Sequence, residues 1–223
     1  MVNRMKKNSI YLILTFLLAL TLGQAQPFPG KQSNWQGFKR FDFKLGDASC
    51  RIVSPKSSAE GKPWIWRARF WGHEPQTDIA LLKKGWHLAY CEVGGLFGNS
   101  KAIERWNNFY QFLTKEHNFN HKASLEGMSR GGLIIYSWAA ANPSKVAAIY
   151  GDAPVCDIKS WPGGKGLGKG SNKTWKQCLS AYGLTEKEAM IFKGNPIDQL
   201  SPIAREKIPI LHVIGDADQV VPV

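Results

Sequence analysis

Apolar runs and helix-like segments alternate along most of this chain, and this alternation predicts the fold class. Six segments have the apolar or alternating pattern of strands, and they are 48–53, 64–70, 86–93, 123–126, 146–150 and 208–214. Five segments have a helical pattern, and they are 76–84, 102–116, 132–141, 174–181 and 185–192. Strands that alternate with helices indicate an α/β domain with a mostly parallel sheet flanked by helices.

Three segments add detail to this prediction. The strand over 208–214 is almost wholly apolar, which is typical of a strand buried in a parallel sheet. Residues 26–45 are polar and aromatic, and we predict a leading segment or a first strand there. Residues 158–171 are rich in glycine and lysine but lack the strand and the spacing of a phosphate-binding loop. We therefore predict a surface or cap loop, and no cofactor is expected.

Residues 1–25 have the composition of a secretory signal peptide. Arg4, Lys6 and Lys7 form a basic start, 10–22 is apolar, and 23–25 ends the segment with small residues. Cleavage near residue 25 leaves a domain over 26–223 and predicts a secreted or periplasmic protein. The alternative is an uncleaved membrane anchor, although the apolar run is short for a membrane span and no second run exists.

The charge of the chain limits the classes of partner. The formal net charge is +12, and because three of the basic residues lie in 1–25, the remainder has 26 basic against 17 acidic residues, or +9. The lysines are scattered and no nucleic-acid-binding motif is found, so no nucleic-acid partner is expected. A basic surface favours acidic polymers such as uronate-bearing glycans, or is simply a solvated lysine-rich surface.

The four cysteines show no metal-ligand spacing, so no metal site is expected. Export permits disulfides, and Cys156 and Cys178 bracket the glycine-rich loop in a way that would allow a bond between them. Cys50 and Cys91 fall in predicted strands and are expected to be buried thiols. Three pairings of the four residues stay open at this level.

The strongest chemical signal is G-x-S-x-G at Gly127-Met128-Ser129-Arg130-Gly131. A predicted strand precedes this motif and a predicted helix follows it, which is the setting of a nucleophilic serine on a strained, exposed turn. The glycines let the backbone crowd around Ser129, and the N–H groups of the helix start point to where an oxyanion forms. We predict Ser129 as the nucleophile and the Arg130 N–H as an oxyanion donor. The alternative is a glycine-rich turn with a capping serine.

A second motif, Gly215-Asp216-Ala217-Asp218-Gln219-Val220-Val221-Pro222, follows the strand predicted over 208–214. A carboxylate at the carboxyl end of a strand lies on the same rim of the sheet as the strand-to-helix turn at 127–131, which we call the elbow. With both motifs in this order, residues 48–223 resemble the α/β-hydrolase superfamily, most of all its prolyl oligopeptidase-like and secreted esterase branches. The resemblance implies that Asp218 is the triad acid and Asp216 a turn residue. Asp152 is a second carboxylate at this rim, and we expect a structural role for it. The resemblance leaves Asp152 as the alternative acid, because some members of the superfamily place the acid there.

The expected base is missing from this pattern. The histidines are His73, His87, His117, His121 and His212. None follows Asp218, where the order Ser, Asp, His of the resembled fold requires the base. His87 and His212 lie in predicted strands and are expected in the core, whereas His117 and His121 are expected to be exposed. The resemblance implies one more helix, one more strand and a histidine-bearing loop, so we expect a C-terminally truncated chain.

Two further segments are candidates for the pocket. Members of the resembled superfamily supply a second oxyanion N–H after the strand that corresponds to 64–70, which implies the backbone of 70–72 and hence Trp71. His73 follows directly and is a candidate for lining the pocket, or for the base against the usual chain order. Trp161 lies in the predicted cap loop and is a candidate for stacking on the substrate.

These residues predict an exported serine hydrolase, most specifically a carboxylic-ester hydrolase for a carbohydrate or small acyl ester. The alternatives are a prolyl oligopeptidase-like serine peptidase, which would use the same triad, and a non-catalytic fragment that binds a ligand or partner. The expected partner is a small-molecule or glycan ester substrate. No stable membrane span is expected after signal cleavage.

Overall fold

The computed structural model describes residues 27–222, and the predicted signal peptide lies outside these residues. The strands are β1 (Lys31–Trp35), β2 (Phe38–Leu45), β3 (Ala48–Ser54), β4 (Trp64–Ala68), β5 (His87–Cys91), β6 (Ala123–Met128), β7 (Val146–Asp152) and β8 (Ile210–Val213). The α-helices are α1 (Gln76–Lys83), α2 (Ser100–Gln111), α3 (Gly131–Ala141), α4 (Asn172–Tyr182), α5 (Glu186–Ile191) and α6 (Ser201–Arg205). A π-helix over Phe112–Glu116 continues α2, and short 3-10 helices cover Gly94–Leu96, Pro143–Lys145 and Pro196–Asp198. Within 27–222, no helix is long and apolar enough to cross a membrane.

All eight strands form one sheet in the order β1-β2-β3-β5-β4-β6-β7-β8. Neighbours from β4 onward, including the β4–β5 pair, are parallel, whereas β1, β2, β3 and β5 pair antiparallel in turn. The predicted α/β architecture with a mostly parallel sheet is therefore confirmed. Because the carboxyl ends of parallel strands meet at one edge, the loops that follow β4 to β8 share a rim.

The segment over 26–45, predicted as a leading segment or a first strand, forms a hairpin of two strands, β1 and β2. Trp35 pairs with Phe38, so only Gln36 and Gly37 connect the strands. Both connecting residues have positive φ, 54° and 84°, as the common two-residue hairpin turn requires. The hairpin extends the antiparallel side of the sheet.

Strand β4 is shorter and more deeply buried than predicted. It ends at Ala68 rather than at residue 70, because Arg69 and Phe70 have left-handed φ values of 66° and 46° and turn the chain out of the sheet. All five residues of β4 are buried. Trp66 stacks on Trp106 of α2 with 3.9 Å between ring centroids, so tryptophans fill the centre of the core.

Strand β8 corrects a prediction. The apolar segment was expected to be buried, but all four residues of Ile210–Val213 are exposed, with Leu211 at 62%. Among the described residues β8 is the outermost strand of its side and pairs only with β7. Burial of a strand requires neighbours as well as apolar side chains, and the described residues supply β8 with one neighbour.

The cysteines follow the predictions in part. Cys50 and Cys91 are buried and lie opposite each other on β3 and β5, which confirms the expected buried thiols. All four cysteines are free, so the bond considered between Cys156 and Cys178 is not formed in this structure.

Candidate functional site

The site begins with the turn that joins β6 to α3. Ser129 occupies this turn with φ 49°, a left-handed conformation that costs free energy in a residue with a Cβ. Its N–H donates to the Asp152 carbonyl at 2.9 Å, and its carbonyl accepts from the Gly132 and Val155 N–H groups at 2.9 and 2.8 Å. These bonds tie the strained serine to the end of β7 and to the segment that follows it.

The glycines of the motif are required by close approach. A Cβ at Gly127 would lie 2.7 Å from Ile135 Cδ1, and a Cβ at Gly131 would lie 2.7 Å from the Ala68 carbonyl oxygen. Side chains at these positions would force α3 away from β4 and β6. The absence of a Cβ therefore lets the helix start lie directly above the ends of these strands.

Free backbone donors lie at the helix start and in the loop after β4. Among the described residues, the N–H groups of Arg130, Phe70 and Trp71 have no hydrogen-bond partner. The Trp71 ring packs against Trp35 and Tyr90, with centroids at 5.3 and 5.4 Å. Only the backbone of Trp71 is thus a candidate for an oxyanion contact.

Arg67 of β4 connects this loop to the strand that carries the nucleophile. It is 2% exposed, and its guanidinium donates to the carbonyl oxygens of Phe70 (3.3 Å) and His73. Its Nη1 also donates to Asp78 Oδ2 at 2.6 Å and Glu126 Oε1 at 2.9 Å. Glu126 lies in β6, three residues before Ser129. The Arg67 guanidinium therefore connects the loop after β4 with the strand that leads to the elbow.

The buried cluster of Arg67, Asp78 and Glu126 contains two carboxyl groups and one guanidinium group. Burial, followed by the charge of Asp78 and a hydrogen bond to it, raises the pKa of Glu126 from 4.5 to about 9. Asp78 Oδ1 and Glu126 Oε2 are both buried without a hydrogen-bond partner among the described residues. A proton on Glu126 would let it donate to Asp78 and would make the cluster electrically neutral. Neutrality is expected because an unpaired buried charge is costly.

Asp218 lies in the turn after β8. Its Oδ1 accepts from the Val220 and Val221 N–H groups at 2.7 and 3.0 Å, which leaves Oδ2 without a hydrogen-bond partner among residues 27–222. The parallel order β6-β7-β8 places this turn on the same rim as the elbow. Asp152 ends the intervening strand β7, and its carbonyl holds Ser129.

Two histidines are fixed inside the fold. His87 is buried beside Phe119, at 4.5 Å between ring centroids, as predicted. Burial and the charge of Lys62 lower its pKa to about 4. His117 corrects a prediction, because it was expected on the surface but is 3% exposed and stacks on Phe28 at 4.2 Å.

The remaining histidines lie at the surface. His73 and His121 are exposed, as predicted for His121. His212 was expected in the core, but it is exposed on β8, and its Nε2 hydrogen-bonds to Tyr136. No histidine of the described residues forms a hydrogen bond with Ser129.

Aromatic rings flank Arg130 beside the elbow. Its guanidinium lies 5.7 Å from the ring centroids of Phe97 and of Trp161. Trp161 thus lies next to the residue that follows the nucleophile. The predicted loop over 158–171 is confirmed as irregular, and Gly168 packs against the backbone of Val220.

No family model matches the chain, and no curated protein matches it. Solved structures do. A puromycin hydrolase matches with a TM-score of 0.61 and 16% identity, over 83% of this chain and 31% of that one. A puromycin-hydrolyzing peptidase of Mycobacterium tuberculosis matches with a TM-score of 0.60 and 14% identity, over 78% of this chain and 29% of that one.

A third match comes from a study of two prolyl endopeptidases, with a TM-score of 0.57 and 15% identity, over 82% of this chain and 30% of that one. The chain has the α/β-hydrolase fold. It spans about a third of the length of these structures, and identities this low establish the shared fold alone.

Within this α/β-hydrolase fold, the structure brings the predicted site residues to one rim. Ser129, Arg130 and Trp161 lie together, the Trp71 backbone lies in the loop after β4, and Asp218 lies two strands from the elbow. Their roles stay predictions. In residues 27–222, no group of three or more His, Cys, Asp or Glu side chains is placed to hold a metal ion.

The cluster of Arg67, Asp78 and Glu126 is not among the residues predicted from the sequence. A signal was available, because Arg67 and Glu126 are charged residues inside strands that were predicted within the sheet. Charged side chains in such strands are almost always paired. The partner on α1 could not be found from the spacing, since it depends on how the helix packs.

Proposed function

We propose that the chain is the catalytic part of an exported serine hydrolase that cleaves carboxylic esters of carbohydrates or small acyl groups. The observation that carries this proposal is the left-handed Ser129 at a strand-to-helix turn, with the free Arg130 N–H beside it. A backbone strained in this way is maintained where it serves a function. In an α/β-hydrolase fold, this turn is the position of the nucleophile.

In the proposed reaction, Ser129 Oγ attacks the ester carbonyl while a histidine accepts its proton. The N–H groups of Arg130 and of Trp71 donate to the oxyanion. The intermediate collapses, the alcohol leaves with the proton from the histidine, and an acyl group remains on Ser129. Water, activated by the same histidine, then releases the acid and regenerates the serine.

We propose that this histidine lies beyond Val223 and that Asp218 orients it. The unpartnered Oδ2 of Asp218 suits that role, because Oδ1 is engaged by the backbone of the turn. The described histidines do not suit it, since each of the buried ones is held elsewhere and none hydrogen-bonds to Ser129. His73 and Trp161 are proposed to line the substrate pocket.

A serine peptidase of the prolyl oligopeptidase-like type is the second candidate. It is favoured by the fold likeness to puromycin hydrolase and to the prolyl endopeptidases. The same nucleophile, oxyanion donors and acid would serve amide cleavage. The nature of the scissile bond therefore separates the two candidates.

Turnover by the full-length protein tests this proposal. Acetyl and feruloyl esters of sugars are compared with prolyl and aminoacyl amides, using the wild type, Ser129→Ala and the control Ser180→Ala, which changes an exposed serine of α4. We expect ester turnover that Ser129→Ala reduces by several orders of magnitude and that Ser180→Ala leaves unchanged. Faster amide turnover would favour the peptidase, and no turnover of any substrate would leave the non-catalytic alternative.

Export is part of the proposal and has its own test. Residues 1–25 are proposed as a cleaved signal peptide, which would deliver the domain to the periplasm or the medium. N-terminal sequencing of the protein from its native host should begin near Gln26. An intact Met1 on the mature protein would contradict export by this route.

A further inference from the structure

Two arginines line a small pocket beside the elbow. Arg69 follows β4 and Arg130 follows the nucleophile, and they border the same pocket together with Val93, Gly94 and Gly131. The Arg69 guanidinium lies 5.0 Å from the centroid of the Phe70 ring. Both cations are thus placed within the rim that carries Ser129.

Within residues 27–222, neither guanidinium has a carboxylate partner. Among the described residues, no Asp or Glu oxygen lies within 4.0 Å of Arg69 or Arg130. Arg69 Nε is also buried without a hydrogen-bond partner. By contrast, Arg67, which lies in β4 two residues before Arg69, contacts the carboxyl groups of Asp78 and Glu126.

The carboxylate of Glu92 lies beside this pocket and close to Arg69, but both of its oxygens accept hydrogen bonds from other groups. Glu92 Oε1 accepts from the Gly94 N–H at 2.7 Å, and Glu92 Oε2 accepts from the Tyr90 hydroxyl. A Cβ at Gly94 would overlap Arg69 Nη1. The glycine therefore makes room for the guanidinium to lie across the loop after β5.

We propose that Arg69 and Arg130 form a subsite for a carboxylate carried by the ester substrate, an inference that rests on the proposed hydrolase function. Stacking on aromatic rings holds a guanidinium in place while its N–H edge stays available for a planar, bidentate acceptor. A carboxylate has that geometry.

The position of the subsite identifies the class of substrate. Arg130 is adjacent in sequence to the nucleophile, so the carboxylate belongs to a group close to the scissile ester rather than to a distant part of a polymer. The partly exposed ring of Trp161 beside Arg130 suits a sugar or a short acyl chain, whereas the Phe97 ring is buried and supports Arg130 from within the fold. The substrate is thus an ester of an acidic sugar or a half-ester of a dicarboxylic acid.

Two matched pairs of substrates test the subsite in the full-length protein. 4-Nitrophenyl hydrogen succinate is compared with 4-nitrophenyl butanoate, and acetylated glucuronate with acetylated glucose. We expect kcat/KM to favour the acidic member of one pair by about tenfold or more at low salt, as a charged hydrogen-bonded contact allows. The pair that shows the preference tells whether the carboxylate lies on the acyl or the alcohol side.

Variants assign the preference to the two arginines. Arg69→Gln and Arg130→Gln should each reduce the ratio of acidic to neutral kcat/KM toward one. Arg205→Gln removes the same charge from an exposed position of α6 and should leave the ratio unchanged. A ratio near one in both wild-type pairs, or a preference that survives both pocket variants, overturns the subsite.

A binding measurement separates this proposal from the proposed function. Titration calorimetry of the Ser129→Ala protein, with glucuronate against glucose and with monomethyl succinate against methyl butanoate, measures binding without turnover. Tighter binding of one acidic ligand that is lost in Arg69→Gln supports the subsite even if no ester is hydrolysed. If neither acidic ligand binds more tightly than its neutral counterpart, the subsite is refuted while ester turnover still supports the hydrolase.

Discussion

Replacement of Glu126 by glutamine tests the electrostatics of the cluster that braces the elbow. Glu126 is 5% exposed and shares the cluster with Asp78 and Arg67. Glutamine keeps a carbonyl oxygen for Arg67 and an N–H donor for Asp78, but it cannot ionise. Glu126→Gln therefore resembles the protonated carboxyl group at every pH.

The magnitude follows from the pKa of Glu126, which burial and the negative neighbour Asp78 raise to about 9. The unfolded chain loses this proton near pH 4.5, so folding binds about one proton between these two values. The stabilisation from the raised pKa is complete below pH 4.5 and is lost as the pH rises through 9. Between pH 4.5 and pH 9 the unfolding free energy of the wild type should decrease by about 1.4 kcal/mol per pH unit. Glu126→Gln does not share this decrease.

Urea unfolding of both proteins at pH 6, 7 and 8 measures this effect. The unfolding free energy of Glu126→Gln minus that of the wild type should increase with pH, by up to about 3 kcal/mol from pH 6 to 8. Because both proteins share every other titrating group, the difference isolates this cluster. A difference that stays constant over this range would refute the assignment of a proton to the cluster.

Three other substitutions test separate parts of the account. Gly131→Ala places a Cβ 2.7 Å from the Ala68 carbonyl oxygen and should lower ester turnover. The control Gly95→Ala, whose Cβ meets nothing within 4 Å, should have a much smaller effect. Equal activity of the two variants would contradict the close approach at the elbow. Trp66→Ala should reduce the unfolding free energy by about 3–5 kcal/mol in urea titrations, because it empties a fully buried site, and a loss below about 1 kcal/mol would contradict the packing. Arg67→Lys loses the hydrogen bonds from the guanidinium to two carbonyl oxygens of the loop after β4. Steady-state kinetics should therefore show a lower kcat with a smaller change in KM. The opposite pattern would assign Arg67 to substrate binding.

Local sequence patterns were sufficient for the elbow and for most element positions. Gly127, Ser129 and Gly131 identify the turn because its geometry demands residues of this kind at fixed spacing. The end of β4 could not be found in this way, since Arg69 and Phe70 adopt left-handed conformations that their residue types do not suggest. Tertiary contacts impose these conformations, including the bonds from Arg67.

Burial was harder to predict than secondary structure, because it depends on what packs nearby. The apolar composition of β8 predicted a buried strand, yet its exposure reflects pairing with β7 alone among the described residues. His117 was predicted at the surface from its place at a helix end, whereas Phe28, distant in sequence, covers it. The cluster of Arg67, Asp78 and Glu126 likewise joins three separate elements.

Covalent labelling shows whether Ser129 is the nucleophile. The full-length protein is treated with a fluorophosphonate probe, digested, and mapped by mass spectrometry. We expect the phosphonyl group on Ser129, and we expect labelling to disappear in Ser129→Ala but to persist in Ser180→Ala. Labelling of another residue, or labelling that survives in Ser129→Ala, would mean that Ser129 is not the nucleophile.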